Sequence, residues 1–242
     1  MFWLAAPDAP PPGFQLVTAA PSYLLRSDQF APKMIMTVDD HGDPAIAYLI
    51  LDANNDRDTS SAEVDVVSWN RATDLWNPPV RVDIVGEVNI NGTRRGFSLA
   101  VDPDNHRFGI AYMVGLNELR LAWSDDRGRT WTRQTVLREA QHTLEEPSLE
   151  LTNRRASLTY HHSRDGTQYR TGAQSDPPDR WSAAPAVPSA KNSRAEGVSI
   201  ALALASNGRA AATYGAGDKL YVAYVSPTAT KDGAGIVLWR EP

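Results

Sequence analysis

Phe97-Ser-Leu-Ala-Val-Asp102, then Phe108-Gly-Ile-Ala-Tyr112, then Ser124-Asp-Asp-Arg-Gly-Arg-Thr-Trp131 is the stretch that decides the fold. Two short apolar runs flank a turn rich in Asp and Asn, the second run ends in Tyr, and a further strand leads to a Trp. The phrase recurs. Met34–Asp39 with Pro44–Tyr48, Pro147–Thr152 with Ala156–Tyr160, and Val198–Ala203 with Ala210–Tyr214 are its other copies, so four copies run along the chain. A third strand follows each Tyr, at Val64–Trp69, Glu118–Ser124, Gln168–Ser175 and Lys219–Ser226, and each copy then reaches Trp76, Trp131, Trp181 or Trp239. Internal similarity with a period of roughly 50 residues and several strands per unit predicts a β-propeller.

Strands such as Gly109–Tyr112 and Ala210–Tyr214 alternate large with small residues rather than apolar with polar. Sheets buried on both faces read that way, because each packs between two neighbours. No stretch combines helical periodicity with caps. The expected fold is therefore all-β: a small propeller of four four-stranded blades, or five if Phe2–Leu25 holds a degenerate one. Ring closure would leave no open edge. Phe14–Val17 resembles the outer strand Thr132–Val136 and is assigned to complete the last blade as a clasp between the termini. Residues 1–13, with Pro10-Pro11-Pro12, read as a flexible leader, and 14–242 as one domain.

The 242 residues are 42% hydrophobic and 22% charged, with a net charge of −5 and no cysteine. That composition is globular and excludes thiol catalysis, thiolate metal sites and disulfides. It carries no basic footprint for nucleic acid. No apolar run approaches the roughly 20 residues of a membrane span.

Ser124–Trp131 fits Ser-x-Asp-x-Gly-x-Thr-Trp at every fixed position, with eroded relatives at Ser68-Trp-Asn70…Trp76 and Ser175-Asp176…Trp181. It resembles the Asp-box, or bacterial neuraminidase repeat, of sialidase-like β-propellers. The chemistry of the motif is that of a turn: Asp caps backbone N–H groups, Gly takes positive φ, and Trp packs between sheets. The resemblance implies that these turns lie on the face opposite the ligand. Function would then belong to the loops before each first strand and between second and third strands.

Those loops offer Lys33, Arg94, Arg95, Glu145, Glu146, Arg194 and Glu196, with His161, His162, Arg164 and Asp165. Lys33, Arg95 and Arg194 hold equivalent places just before their strands and, with His161, make the expected ligand-binding set. The sialidases that this chain resembles hold a carboxylate with three arginines, use a Tyr–Glu pair as nucleophile and an Asp as acid/base. By that resemblance the catalytic candidates are Tyr169, Glu145, Glu146, Glu196 and Asp165. The first arginine's place reads Phe30-Ala-Pro-Lys33, and an ammonium lacks the planar fork of Arg. The family also typically has six blades. The expected function is thus a non-catalytic module binding a glycan or protein partner through the loop face, in an extracellular or periplasmic setting. A sialidase-like glycoside hydrolase acting on an acidic sugar is the alternative.

Asp52, Asn54, Asp56, Asp58 and Glu63 match the oxygen-ligand spacing of a calcium loop, with Arg57 where that loop wants Gly. They are the expected Ca2+ ligands, weighed against an acidic solvated hairpin tip.

Overall fold

Each copy of the repeat folds into its own antiparallel sheet. The computed structural model describes residues 34–51, 61–87, 96–182, 201–204, 210–216, 219–225 and 236–239. Sheet 1 holds β1 (Met34–Val38), β2 (Pro44–Leu51) and β3 (Ser61–Asn70), with β4 (Leu75–Trp76) and β5 (Val80–Glu87) both paired to β3. Sheet 2 is β6 (Phe97–Val101), β7 (Phe108–Val114), β8 (Glu118–Ser124) and β9 (Thr132–Arg138). Sheet 3 is β10 (Leu144–Thr152), β11 (Arg155–His162) and β12 (Gly166–Ala173). Sheet 4 is β13 (Ala201–Leu204), β14 (Ala210–Ala216), β15 (Lys219–Val225) and β16 (Ile236–Trp239). Among the described residues no helix is long and apolar enough to cross a membrane.

The first strands pack in chain order, β1 on β6, β6 on β10, and β10 on β13. This explains the alternation seen in the sequence. Along β7, Phe108, Ile110 and Tyr112 enter a core shared with Val64, Val66, Val82 and Val85 of sheet 1. The intervening Ala111 and Met113 enter a second core with Leu149, Leu151, Leu158 and Trp181 of sheet 3. Both faces of the strand are dry. The repeated serine also has a use: Ser98 Oγ accepts the Leu149 N–H at 3.0 Å and Ser148 Oγ accepts the Leu202 N–H at 3.1 Å. Each hydroxyl ties one sheet to the next. Ile35 occupies that place in sheet 1.

Three expectations change. Trp239 does not precede its outer strand but lies within it, opposite Val222. Trp131, by contrast, stands just before Thr132, the partner of Trp123. The outer place of sheet 4, assigned from sequence to Phe14–Val17, is filled by β16, while Phe14–Val17 and the leader 1–13 lie outside the described residues. Third, the described sheets do not close into a ring. Met34, Met36 and Val38 of β1 are 65%, 65% and 51% exposed, so no described sheet covers that face of sheet 1.

Candidate functional site

In an antiparallel sheet the first and third hairpins share one end, and the second hairpin and the link to the next sheet share the other. The second end is the loop face. Its described part is laced together by the β7–β8 turn, the 139–143 link and the β11–β12 turn. Glu139 N–H donates to Asn117 O at 2.9 Å, Asn117 Nδ2 donates to Glu139 O at 2.6 Å, and Ser163 N–H donates to Thr143 O at 3.0 Å.

His162 sits at the centre of this lacework and is 5% exposed. Its Nδ1 accepts the Asp165 N–H at 3.1 Å and the Arg164 N–H at 3.3 Å, which shapes the turn and leaves the ring proton on Nε2. Burial pulls its pKa below the ordinary value, against the raising effect of Asp165 and Glu139. The imidazole is therefore neutral at neutral pH. Around it stand the Asp165 carboxylate, 3.3 Å from Nδ1, the Glu139 carboxylate, 4.0 Å from Nε2, and the His142 ring at 5.0 Å. Asp165 and Arg164 are exposed, at 55% and 72% of their side chains. The result is a polar platform that offers carboxylates, a guanidinium and the partly buried His142 imidazole around a buried His162.

Glu145, Glu146 and His161, placed in loops from sequence, belong to strands β10 and β11. Glu145 lies opposite His161, and a bulge between Glu145 and Ser148 puts Glu146 at φ 49°. The extra residue of a bulge re-aims side chains at the end of a ladder. Glu145 and His161 are thus cross-strand partners at one end of sheet 3, while Asp165 lies in the adjoining β11–β12 turn against His162, whose side chain leaves the opposite face of β11 from that of His161. Tyr169 does not join them. It is 7% exposed, opposite Thr159, and its hydroxyl lies 3.1 Å from Ser157 Oγ inside the sheet. Lys33, Arg94, Arg95, Arg194 and Glu196 lie outside the described residues, as do Asp52, Asn54, Asp56 and Asp58. Glu63 is described, and its carboxylate accepts from Arg81 Nε at 2.8 Å.

Sequence reasoning missed Asn117, Glu139 and His142, which carry no repeat signature and meet only through the turn geometry. Between sheets 1 and 2, near the same face, Leu49, Val64, Val85, Phe97 and Tyr112 line a cavity of about 20 Å³. It has room for one water and none for a sugar.

The opposite face carries the Ser124–Trp131 turn. Ser124 Oγ donates to Asp126 Oδ1 at 2.7 Å and accepts the Gly128 N–H at 2.7 Å. Asp126 accepts the Thr130 N–H at 2.8 Å and the Thr130 hydroxyl at 2.7 Å, and Trp131 Nε1 donates to Gly128 O at 3.1 Å. Gly128 stands at φ 85°. Burial alone would raise the Asp126 pKa, but the Thr130 and Ser124 hydrogen bonds bring it below the ordinary value.

No protein-family model matches the chain, and no curated protein matches it. Solved structures do. An α-L-arabinanase from Penicillium chrysogenum, complexed with arabinobiose, superposes at TM-score 0.55 and 15% identity over 86% of this chain and 66% of its own. The fungal lectin of Aleuria aurantia, described as a six-bladed β-propeller with a novel fucose recognition mode, gives 0.51 and 14% over 82% and 56%. The sheets are those of a β-propeller. An α-L-arabinofuranosidase of Fusarium graminearum, bound to an iminosugar inhibitor, gives 0.52 and 14% over 82% and 63%. The chain spans between a little over half and about two thirds of these three proteins.

Proposed function

We propose that this chain is a non-catalytic recognition module of the Asp-box propeller type that binds a glycan through its loop face. The carrying observation is the platform around His162, where exposed Asp165 and Arg164 stand beside Glu139 and His142 on the face opposite the Ser124–Trp131 turn. Sugar hydroxyls are recognised by such planar donors and acceptors. Lys33, Arg95 and Arg194 would extend the rim and favour a carboxylate-bearing sugar. The propeller fold shared with a fucose-recognising lectin supports the reading. So does the engagement of the Tyr169 hydroxyl within its sheet. Secretion to an exterior or periplasmic compartment goes with it.

A second reading, a glycoside hydrolase, is favoured by the likeness to the arabinanase and the arabinofuranosidase. It needs two carboxyl groups roughly 5–10 Å apart across a pocket. One experiment separates the two. The full chain is screened against an array of fucosylated, arabinose-containing and sialylated oligosaccharides, and each bound sugar is then incubated and checked for hydrolysis. The module reading expects binding without cleavage, weakened by Arg164→Ala and Asp165→Ala and unchanged by Arg129→Ala on the other face. Cleavage would establish the hydrolase. Binding insensitive to both loop-face variants, or capture of a protein but of no sugar, would end the glycan reading.

A further inference from the structure

The face opposite the loops brings together three metal-ligating side chains from two turns about 65 residues apart in sequence. Asp40 and His41 project from the β1–β2 turn of sheet 1, and His106 from the β6–β7 turn of sheet 2. His106 Nδ1 lies 2.5 Å from Asp40 Oδ1, and His41 Nδ1 lies 3.9 Å from Asp40 Oδ2. The two imidazoles stack with centroids 5.0 Å apart and planes at 27°. One ligand atom from each of the three residues falls within 4.8 Å of the others.

One further observation points to an ion there. The His106 Nδ1 atom is shielded from solvent, though its side chain is 40% exposed, and it faces the Asp40 carboxylate at ion-pair distance without hydrogen-bond geometry. A cation between the two groups would satisfy both. The turns are also fixed in advance. His106 stands at φ 57° with its N–H on Asp102 O at 2.9 Å, while Asp39 Oδ1 accepts the N–H groups of His41 and Asp43 at 2.9 and 2.8 Å. The neighbouring cations are already matched: Arg71 Nε pairs with Asp43 Oδ1 at 3.0 Å and Arg127 Nη1 with Asp43 Oδ2 at 3.3 Å.

We propose that Asp40, His41 and His106 form a site for a divalent transition-metal ion of zinc-like ligand preference, which clips sheet 1 to sheet 2. Two imidazoles and one carboxylate suit zinc and disfavour calcium or magnesium, which take oxygen ligands. Three protein ligands leave a fourth position for water. Rotamer adjustments at three partly exposed side chains bring the ligand atoms to coordination distance. The site is independent of the loop-face reading.

The test uses the full chain stripped with a chelator. Zinc chloride is titrated calorimetrically, with calcium and magnesium chloride in parallel, and melting is followed with and without zinc. The expected result is one zinc ion per chain at micromolar affinity and a melting point raised by about 3–6 °C. His41→Gln and His106→Gln should each weaken zinc binding more than about tenfold. His142→Gln, in the other imidazole pair, should leave it unchanged. Circular dichroism of the stripped variants checks folding, and if one fails to fold the other carries the comparison. Absence of zinc binding, an equal response to calcium, or affinity retained in the folded histidine variants would overturn the site.

Discussion

Gly172 shows how little room the blade interface leaves at single positions. A Cβ there would sit 2.8, 3.0 and 3.1 Å from three ring atoms of Trp181. That indole is 4% exposed and anchored by Nε1 donating to Asp176 O at 3.1 Å, so it cannot swing aside as a flexible aliphatic chain would. Gly172→Ala should therefore destabilise the protein by about 1–3 kcal/mol through overpacking. Urea denaturation measures this, and an unchanged midpoint would mean that the indole shifts freely. Ser98 teaches a related lesson. Its recurrence at Ser148 was visible in the sequence as part of a repeated phrase. Its reason was not, because the hydroxyl bonds a backbone N–H 51 residues away. The strand-ending tyrosines are similar. Tyr112 was legible as a repeat position, whereas its hydroxyl donating to Asp83 at 2.7 Å depends on an adjoining sheet.

At the scale of elements, β8 and its neighbours carry a charge lattice that no local pattern announces. Asp83 of β5 accepts from Arg120 Nη1 at 2.9 Å and Arg133 Nη1 at 2.8 Å, joining sheet 1 to sheet 2. Glu118 accepts from Arg120 Nε, Thr135 Oγ1 and Arg138 Nη2 at 2.8, 2.6 and 2.7 Å. Burial pushes the Glu118 pKa up, but these three bonds outweigh it and bring it down to about 2. Asp83 is lowered in the same way, its bonds from Tyr112 and Arg120 overcoming burial. A carboxylate lowered by folding stabilises above its ordinary pKa, and that stabilisation is lost as pH falls through its folded value. The loss should fall between about pH 5 and pH 2 and amount to something on the order of 1–3 kcal/mol for Glu118. Asp65 and Glu150, both raised by burial, act in the opposite sense and soften the decline. Glu118→Gln should flatten the fall in the urea midpoint between pH 6 and pH 3; an identical fall would show that the lattice does not titrate. The 124–131 turn stood at the other extreme of legibility. Its fixed residues bond one another within eight positions, so sequence spacing alone described its chemistry. Trp131 reaches outward through apolar packing on the core of sheets 1 and 2, and the polar outward contacts come from variable positions, Asp125 to Arg107 and Arg127 to Asp43.

Taken whole, the described molecule is a stack of sheets whose main contacts run between neighbours in chain order. Among the described residues, sheet 2 carries large apolar clusters on both faces. Sheet 1 exposes Met34, Met36 and Val38 on one side. In a nearest-neighbour stack, local opening starts where fewest interfaces must be broken. Backbone amides of β7 and β8, such as Ile110 and Leu121, should therefore exchange with deuterium more slowly than those of β1 or β13. Uniform protection across all four sheets would instead indicate coupling around a closed ring. The number of sheets was readable because each reuses the same first three strands. The expected four strands per sheet hold in sheets 2 and 4, while sheet 1 has five and sheet 3 has three described strands. Closure was not readable, since it depends on which face meets which rather than on any strand's own pattern. The same architecture has a consequence for inheritance. A turn whose polar groups are satisfied within itself, as at Ser124–Trp131, can be copied by duplication of one unit and work at once. Asp102 is different: its carboxylate caps its own turn through the Asp104 N–H and also holds the Asn153 and Arg154 N–H groups of the following sheet, at 3.1 and 2.8 Å. That device is shared property of two adjacent units. Lineages that gain or lose a blade should keep such joints in pairs, while the self-contained turn is free to erode in one copy and persist in another.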